Sequence, residues 1–284
     1  MTQPGTSRRF GLRPTQVLIG LSLAVALVMP SQASASPPAG ATIAANLLGQ
    51  NDYGTIKGRL VWGGDEAPPT KVLEPLGKAS KDPNVCARTA PILDRALVVD
   101  PKTKGVSNAF AYLVRPQGSN PEAVKALVAA HPEVVLDQKN CEFQPFLLPM
   151  HQDQTLIIKS SDPMINHNVR MSAFRNPGKN QTLRPDDKLE LKLVAERVPI
   201  EMACDIHPWM KAWVMVFDHP FFTTTATDGS FEIKGVPAGT QQLILWQKSV
   251  GFATPGLGRG MTVEVKAGGV ADVGEIKLNV KAQL

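Results

Sequence analysis

The sequence is poor in several features that would place it in a common class of protein. It has three cysteines and five histidines in 284 residues, and it lacks a Cys-x-x-Cys-His motif, so covalent haem attachment is unsupported. Lysine and arginine are scattered among acidic residues instead of forming a stripe, which argues against binding to nucleic acid. No apolar run is long enough to be a comfortable permanent transmembrane helix.

The first 35 residues predict a signal peptide. A basic start precedes a short apolar stretch, and residues 33–35 (Ala-Ser-Ala) are typical of a cleavage site. We therefore predict export to the periplasm or cell envelope, with cleavage after Ala35 and no stable membrane span afterwards. The alternatives are a twin-arginine route and an uncleaved anchor. Because the segment holds three positive and no negative residues, the formal net charge falls from +5 to +2 without it.

The rest of the chain predicts β-structure. Residues 36–53 are rich in Ser, Pro, Ala and Asn and are expected to form a linker. From Gly54 onward, short β-branched or aromatic runs are separated by glycine and proline, as in antiparallel sheets. One helix is expected from Pro121 to about Ala130, with Asn120 as its N-cap. The polar stretch 175–188 contains two prolines and a glycine and is expected to be irregular.

Four possible metal ligands lie at a distinctive spacing. Residues 204–210 read Cys-Asp-Ile-His-Pro-Trp-Met, and His167 begins an upstream His-Asn-Val sequence. Two imidazoles, a thiolate and a thioether suit a metal that cycles between Cu(I) and Cu(II), because soft sulfur favours the reduced ion. Zinc more often has four strong ligands. Each residue alone usually has a structural role in the core, but their joint occurrence favours a site.

These motifs resemble those of the cupredoxins, with a ligand loop similar in length to that of amicyanins. The resemblance covers about residues 142–218. It implies one type 1 (blue) copper ion, with His167, Cys204 and His207 as equatorial ligands and Met210 as the axial ligand. It also implies that Asn168 forms a hydrogen bond to the cysteine loop. Residues 212–213 (Ala-Trp) depart from the glycine that many relatives have after the methionine.

The C-terminal residues resemble another family. The hairpin pair Asp228-Gly229 lies between two strand-like runs, and a Val-Pro-Ala-Gly sequence follows. This pattern resembles the carboxypeptidase regulatory-like, or transthyretin-like, β-sandwich. The predicted fold is therefore all-β: a cupredoxin-like Greek-key β-sandwich over 54–218, with an N-terminal extension, and a smaller transthyretin-like sandwich over 219–284. Residues 53–59 also resemble the first strand of such a module, so shared edges remain an alternative.

The odd number of cysteines predicts one disulfide. If Cys204 binds the metal, Cys86 and Cys141 are the natural pair in an oxidising compartment. The alternative is that these two are separate buried thiols.

The cupredoxin resemblance implies a carrier of single electrons that docks weakly and transiently with a redox donor and acceptor. By resemblance, His207 presents its far edge at the surface, and Pro208 and Trp209 frame an apolar patch beside it. Core packing is the alternative for Trp209. The other histidines, at positions 131, 151 and 219, are expected at the surface.

An enzyme is not expected. Multicopper oxidases and nitrite reductases need additional histidines, generally in His-x-His pairs, and this sequence has no such pair. Two other functions remain as alternatives. One is a copper-binding carrier or sensor, and the other is an envelope binding module whose cupredoxin domain is structural.

Overall fold

The computed structural model describes residues 52–278, so the predicted signal peptide and residues 36–51 of the predicted linker lie outside the described residues. Within that range the chain is all-β, as predicted, with one α-helix, α1 (Pro121–Ala130), and a 3₁₀ turn (Leu257–Arg259). None of the helices in this range is long and apolar enough to cross a membrane. The strands are β1 (Tyr53–Trp62), β2 (Val72–Glu74), β3 (Ile92–Leu93), β4 (Val98–Val99), β5 (Val106–Ser107), β6 (Ala109–Leu113), β7 (Glu133–Lys139), β8 (Glu142–Gln144), β9 (Leu147–His151), β10 (Thr155–Ser160), β11 (His167–Ser172), β12 (Lys179–Leu183), β13 (Lys188–Leu191), β14 (Ile200–Ala203), β15 (Lys211–Phe217), β16 (Phe222–Thr224), β17 (Ser230–Pro237), β18 (Gly239–Gln247), β19 (Gly251–Phe252), β20 (Met261–Val265) and β21 (Val270–Leu278).

Two sheets from the middle of the chain form the first sandwich. One has the strand order β13-β10-β7-β8 and the other β12-β11-β14-β15-β9. Successive side chains of a strand point to opposite faces of a sheet, and alternate residues of β14 and β15 are buried between the two sheets. They include Ile200, Met202, Val214 and Val216.

A second sandwich combines strands from both ends of the described chain. Its sheets have the orders β17-β1-β21 and β16-β6-β18-β19, with β20 paired to β18. Ile56 and Leu60 of β1 pack there against residues from the other sheet, such as Leu113 and Leu245.

The two sandwiches also bury hydrophobic side chains against each other. Phe110 and Tyr112 of β6 point away from the second core and contact a cluster that includes Met215 and Phe217 of β15. Strand β6 is therefore covered on both faces, with all five of its residues buried. A strand covered on both sides is apolar throughout, as β6 is.

The pairing of the strands differs from the linear division at residue 218 that the sequence predicts. Strand β1 pairs with β17 in antiparallel and with β21 in parallel orientation, and β6 pairs with β16 and β18. Two strands from the range 54–218 thus belong to the same sheets as strands from the range 219–284. Sheet pairing is non-local, so a boundary drawn along the sequence does not reveal it.

The local elements follow the sequence with two exceptions. The helix begins at Pro121, and the side chain of Asn120 accepts a hydrogen bond from the Ala123 N–H at 3.0 Å, as predicted. The stretch 175–188, predicted to be irregular, contains β12. Its prolines and glycine flank this strand, which forms because β11 supplies hydrogen-bond partners along its whole length. The Asp228-Gly229 turn forms, but it joins β16 and β17, which pair with different strands, so it is not a hairpin.

Candidate metal centre

Adjacent strands bring the predicted ligands together. His167 is the first residue of β11, and Cys204 directly follows β14, which is the antiparallel neighbour of β11. The ligand loop then closes on itself. The Cys204 N–H donates to the Met210 carbonyl at 3.2 Å, and the Met210 N–H donates to the His207 carbonyl at 2.9 Å. Both ends of the loop are therefore held by main-chain hydrogen bonds as well as by strand pairing.

The ligand atoms of three of these residues converge at one point. The Nδ1 atoms of His167 and His207 are 3.1 Å apart, and the Sγ atom of Cys204 is 3.8 Å from Nδ1 of His207. All three ligand atoms lie within 4.8 Å of one another. Nitrogen and sulfur atoms bound to a single ion at about 2.0–2.3 Å are separated by at most about 4.6 Å. The two separations of 3.1 and 3.8 Å lie within this limit, so the three side chains are placed to share one metal ion.

Met210 belongs to the same buried region. Its exposed fraction is 1%, and it packs in the core cluster that also contains Cys204. The loop hydrogen bonds bring its backbone back to Cys204. The soft donor expected as an axial ligand is thus on the same loop and in the same core as the thiol.

The Nε2 atom of each imidazole, which points away from the other ligands, is hydrogen-bonded to a carboxylate. Nε2 of His167 lies 2.9 Å from Oδ2 of Asp162, and Nε2 of His207 lies 2.8 Å from Oδ2 of Asp82. A histidine that binds a metal commonly donates its second N–H to such a partner, which fixes the tautomer and the ring orientation. Here both inner Nδ1 atoms are left facing each other and the thiol. Neither aspartate was identified from the sequence.

The charges around the thiol favour its ionised form. Burial alone would raise the pKa of Cys204, but hydrogen bonds with His167 and His207 outweigh it and lower that pKa to about 6. Burial likewise opposes the charged form of His167, yet its bonds to Asp162 and Cys204 raise the pKa of this imidazole to about 9. A thiolate is the form of cysteine that binds metal. The site therefore favours the reactive form of its cysteine at neutral pH.

Asn168 connects the two ligand segments. Its backbone N–H donates to Sγ of Cys204 at 3.3 Å, and its side-chain oxygen accepts from the Asp205 N–H at 3.1 Å. The Asp205 side chain is exposed and pairs with Arg170 at 2.7 Å. Asn168 therefore holds the cysteine loop against β11, while Asp205 faces away from the ligands.

The predicted disulfide between Cys86 and Cys141 is confirmed, with an S–S distance of 2.03 Å, and Cys204 is the free cysteine. Sulfur atoms of this disulfide lie within 4.8 Å of a His207 nitrogen. A sulfur in a disulfide is not a thiolate, so these two cysteines do not compete with Cys204 as ligands. The bridge is nevertheless part of the immediate surroundings of the centre.

His207 is not at the surface, which corrects the predicted electron port. It is completely buried, because residues 75–91, here called the covering loop, lie over it between β2 and β3. Asp82 of this loop bonds the edge of the ring that was expected to be exposed. The disulfide of Cys86 ties the same loop to the segment between β7 and β8. The cysteine pair was the only sequence signal that could have placed this loop near the centre.

The aromatic neighbour of His207 is held in place. Trp209 is half-buried, its indole N–H donates to the Cys141 carbonyl at 2.9 Å, and its ring centroid lies 5.3 Å from that of His207. Pro208 is exposed. The predicted exposed patch of Pro208 and Trp209 is therefore only partly open.

The remaining histidines lie in different environments. His131 is exposed as expected. His151 is 2% exposed, which contradicts the expectation of a surface residue, because β9 pairs with β15 up to this position. His219 is half-buried, and burial lowers its pKa to about 4. In the described part of the chain, none of the three joins the ligand cluster.

Comparisons with known proteins give limited matches. No family model and no curated relative matches the sequence. The chain is similar in part to several solved structures. The Cu-containing nitrite reductase (NirK) from Thermus scotoductus SA-01 is 17% identical over 30% of this chain, with a TM-score of 0.27. A purple cupredoxin from Nitrosopumilus maritimus is 18% identical over 30%, with a TM-score of 0.25.

The Cu(I) form of an amicyanin variant is 16% identical over 38% of this chain, with a TM-score of 0.27. The matches include 98% of the amicyanin and of the purple cupredoxin, but only 22% of the nitrite reductase. These likenesses concern part of the fold. The candidate metal centre is described above from the distances between its own residues.

Proposed function

We propose that this protein holds one type 1 copper ion through His167, Cys204, His207 and Met210, and that it carries single electrons between redox partners. The convergence of two imidazole nitrogens and a thiol on one buried point is the observation that carries this proposal. Two nitrogens and a thiolate, with a weak thioether, are the donor set of copper electron-transfer sites.

Copper in this site would supply a one-electron couple with a thiolate ligand. The chain's own residues hold the ligands still. Asp162 and Asp82 fix the two imidazole rings, and Asn168 fixes the cysteine loop. Complete burial of both histidines excludes water from the ligand atoms. A rigid, dry ligand shell keeps rearrangement small when the charge of the ion changes, and this supports electron transfer.

We also propose that the protein is exported and that it does not transform a substrate. The Cys86–Cys141 disulfide supports the first point, since structural disulfides persist in oxidising compartments. The five histidines of the sequence support the second, because they leave too few imidazoles for the additional coppers of known copper oxidases. The redox donor and acceptor would dock weakly and transiently.

The visible spectrum of the copper-loaded protein tests the proposal. We expect an intense thiolate-to-Cu(II) band and reversible reduction. Cys204→Ser should abolish the band and leave the fold intact, because serine lacks the thiolate that absorbs. His131→Gln is the matched control, since it removes an exposed histidine outside the cluster and should leave the band unchanged.

The spectrum also separates the alternative functions. Copper that binds without the intense band and passes readily to a chelator would favour delivery of copper. A protein that binds no copper would contradict the proposal and favour a binding module.

A further inference from the structure

Both imidazoles of the metal centre are closed off from the surface. His167 and His207 are completely buried, and a carboxylate occupies the outer nitrogen of each ring. An electron therefore cannot enter through an exposed ligand edge. It must pass through a neighbouring side chain.

One cavity reaches the ligand loop from outside. Its volume is about 290 Å³, close to the lower limit of small-molecule pockets, about 300 Å³. Strands β2 and β3 form one wall. The other wall is aromatic and apolar and consists mainly of Phe143, Phe146, Trp209, Met210 and Trp213.

Two residues join this cavity to the metal centre. Met210 lines it and is the proposed axial ligand. Trp209 also lines it, and its ring centroid is 5.3 Å from that of His207. The indole is fixed by its hydrogen bond to the Cys141 carbonyl. A ligand that stacks on Trp209 would therefore be separated from a copper ligand by a single aromatic ring.

The cavity is lined by three basic residues, Arg95, Lys211 and Lys248, and by two acidic ones, Asp94 and Glu142, so the formal net charge of its lining is +1. Lys211 lies 3.8 Å from Glu201, and Asp94 accepts the Ala96 N–H at 2.8 Å. Arg95 and Glu142 pair with each other at 3.3 Å, so their charges largely cancel. Lys248 lies over the ring of Trp213 at 4.9 Å, and no carboxylate of residues 52–278 pairs with it. Its ammonium is attracted to the indole face and places a positive charge at the aromatic wall of the cavity.

We propose that this cavity binds a planar aromatic reductant with one anionic group, which packs on Trp209 and directs its charge to Lys248, whose ammonium lies over the ring of Trp213. This inference rests on the proposed copper function only for its redox step. Copper, when bound, would supply a one-electron acceptor. A bound hydroquinone would then give up one electron by way of Trp209 and one proton to water, while its anionic group keeps its charge.

Binding can be tested without copper. The probe is hydroquinone monosulfonate, titrated into the metal-free protein and followed by calorimetry and tryptophan fluorescence. We expect saturable binding of one molecule. Lys248→Glu should weaken binding about three- to tenfold, the size of a lost exposed charge pair together with a new repulsion. Lys125→Gln, on an exposed face of α1, is the control and should leave binding unchanged.

A second variant tests the cavity independently, in case Lys248→Glu fails to fold. Leu93→Trp should fill the cavity from β3 and abolish binding, while the disulfide and the circular dichroism remain unchanged. Absence of saturation at millimolar probe in the unmodified protein would overturn the proposal. Equal binding by the unmodified protein and by both cavity variants would also overturn it.

The copper-loaded protein supplies the redox measurement. Reduction of the copper should saturate with probe concentration at the same dissociation constant, and Trp209→Leu should slow it. A rate of copper reduction that rises linearly with probe concentration, and that is the same in the Lys248→Glu variant, would mean that the electron enters elsewhere. If the metal-free protein binds the probe but the copper-loaded protein lacks the visible band, the proposed binding site is supported and the proposed copper function is contradicted.

Discussion

Each imidazole of the candidate metal centre has one nitrogen hydrogen-bonded to an aspartate. Asp162 is 3% exposed and also accepts the N–H groups of Asn140 and Cys141 at 2.6 and 2.7 Å. Asp82 is different, because its side chain is 43% exposed and it reaches His207 from the covering loop. One ring is therefore held by the core and the other by a surface loop.

Replacing Asp82 tests the second of these contacts. Asp82→Ala removes the acceptor that orients the His207 ring, so we expect copper affinity to fall by about 10–100-fold, the usual effect of losing a hydrogen-bond partner of a metal ligand. Competition with a copper chelator measures this change. Asp205→Ala is the matched control, because Asp205 lies next to Cys204 but pairs with Arg170. An unchanged affinity in Asp82→Ala would show that the ring is held by packing alone.

At the level of single residues, the sequence predicted the ligands but not their partners. Cys204, His207 and Met210 lie in one loop, and their spacing is itself a signal. Asp82 and Asp162 are ordinary aspartates in the sequence. Only the fold brings Asp82 to His207 across a separation of 125 residues.

The covering loop is the reason why His207, predicted to be exposed, is buried. It has few main-chain contacts of its own, such as the Gly77 N–H bond to the Ala87 carbonyl at 2.7 Å. Its two attachments to the centre are the Cys86–Cys141 disulfide and the contact of Asp82 with His207. Loss of the disulfide would therefore loosen the cover of His207 as well as the fold.

The double variant Cys86→Ser, Cys141→Ser tests this element. The bridge spans 55 residues, and closing a loop of that size stabilises a protein by roughly 4 kcal/mol in the loop-entropy model. We expect a loss of about this size in the free energy of unfolding, measured with urea, and faster removal of copper by a chelator. Wild-type protein treated with a reductant should behave like the variant. Identical unfolding and chelation kinetics would contradict a role for the bridge in covering the centre.

Elements with local signals were predicted more accurately than those that depend on partners. The helix needed only Asn120 and Pro121, and both act within the first turn. Strand β12 has polar residues and flanking breakers, so its sequence favours a loop, and it forms because β11 pairs with it. The Asp228-Gly229 turn was predicted, but the separation of its two strands into different sheets depends on β1 and β6.

At the scale of the whole molecule, the second sandwich combines strands from both ends of the described chain, and the two sandwiches bury a common cluster. Strand β1 has both of its partners beyond residue 229, and β6 has both of its partners beyond residue 221. The apolar residues Phe110 and Tyr112 lie between the sandwiches. The range 54–218, which holds the candidate metal centre, therefore includes two strands whose sheet partners lie outside it.

A fragment of residues 54–218 tests this interdependence. We expect it to aggregate or to remain unfolded, because β1 and β6 lose their neighbours and the residues between the sandwiches become exposed. Circular dichroism and gel filtration measure the outcome. Co-expression with a second fragment, residues 219–284, is the control and should restore soluble protein. A monomeric fragment 54–218 with the visible copper band would refute the dependence.

The position of β1 between β17 and β21 also affects the order in which the molecule can form. Strand β1 is the first strand of the described chain to leave the ribosome, and β21 is the last. For most of synthesis β1 therefore has two unpaired edges, and contacts this distant in sequence form slowly. A strand with unpaired edges and one apolar face, such as β1, can pair with another copy of itself. We therefore expect a chain that lacks its C-terminal residues to associate with other copies through the free edges of β1.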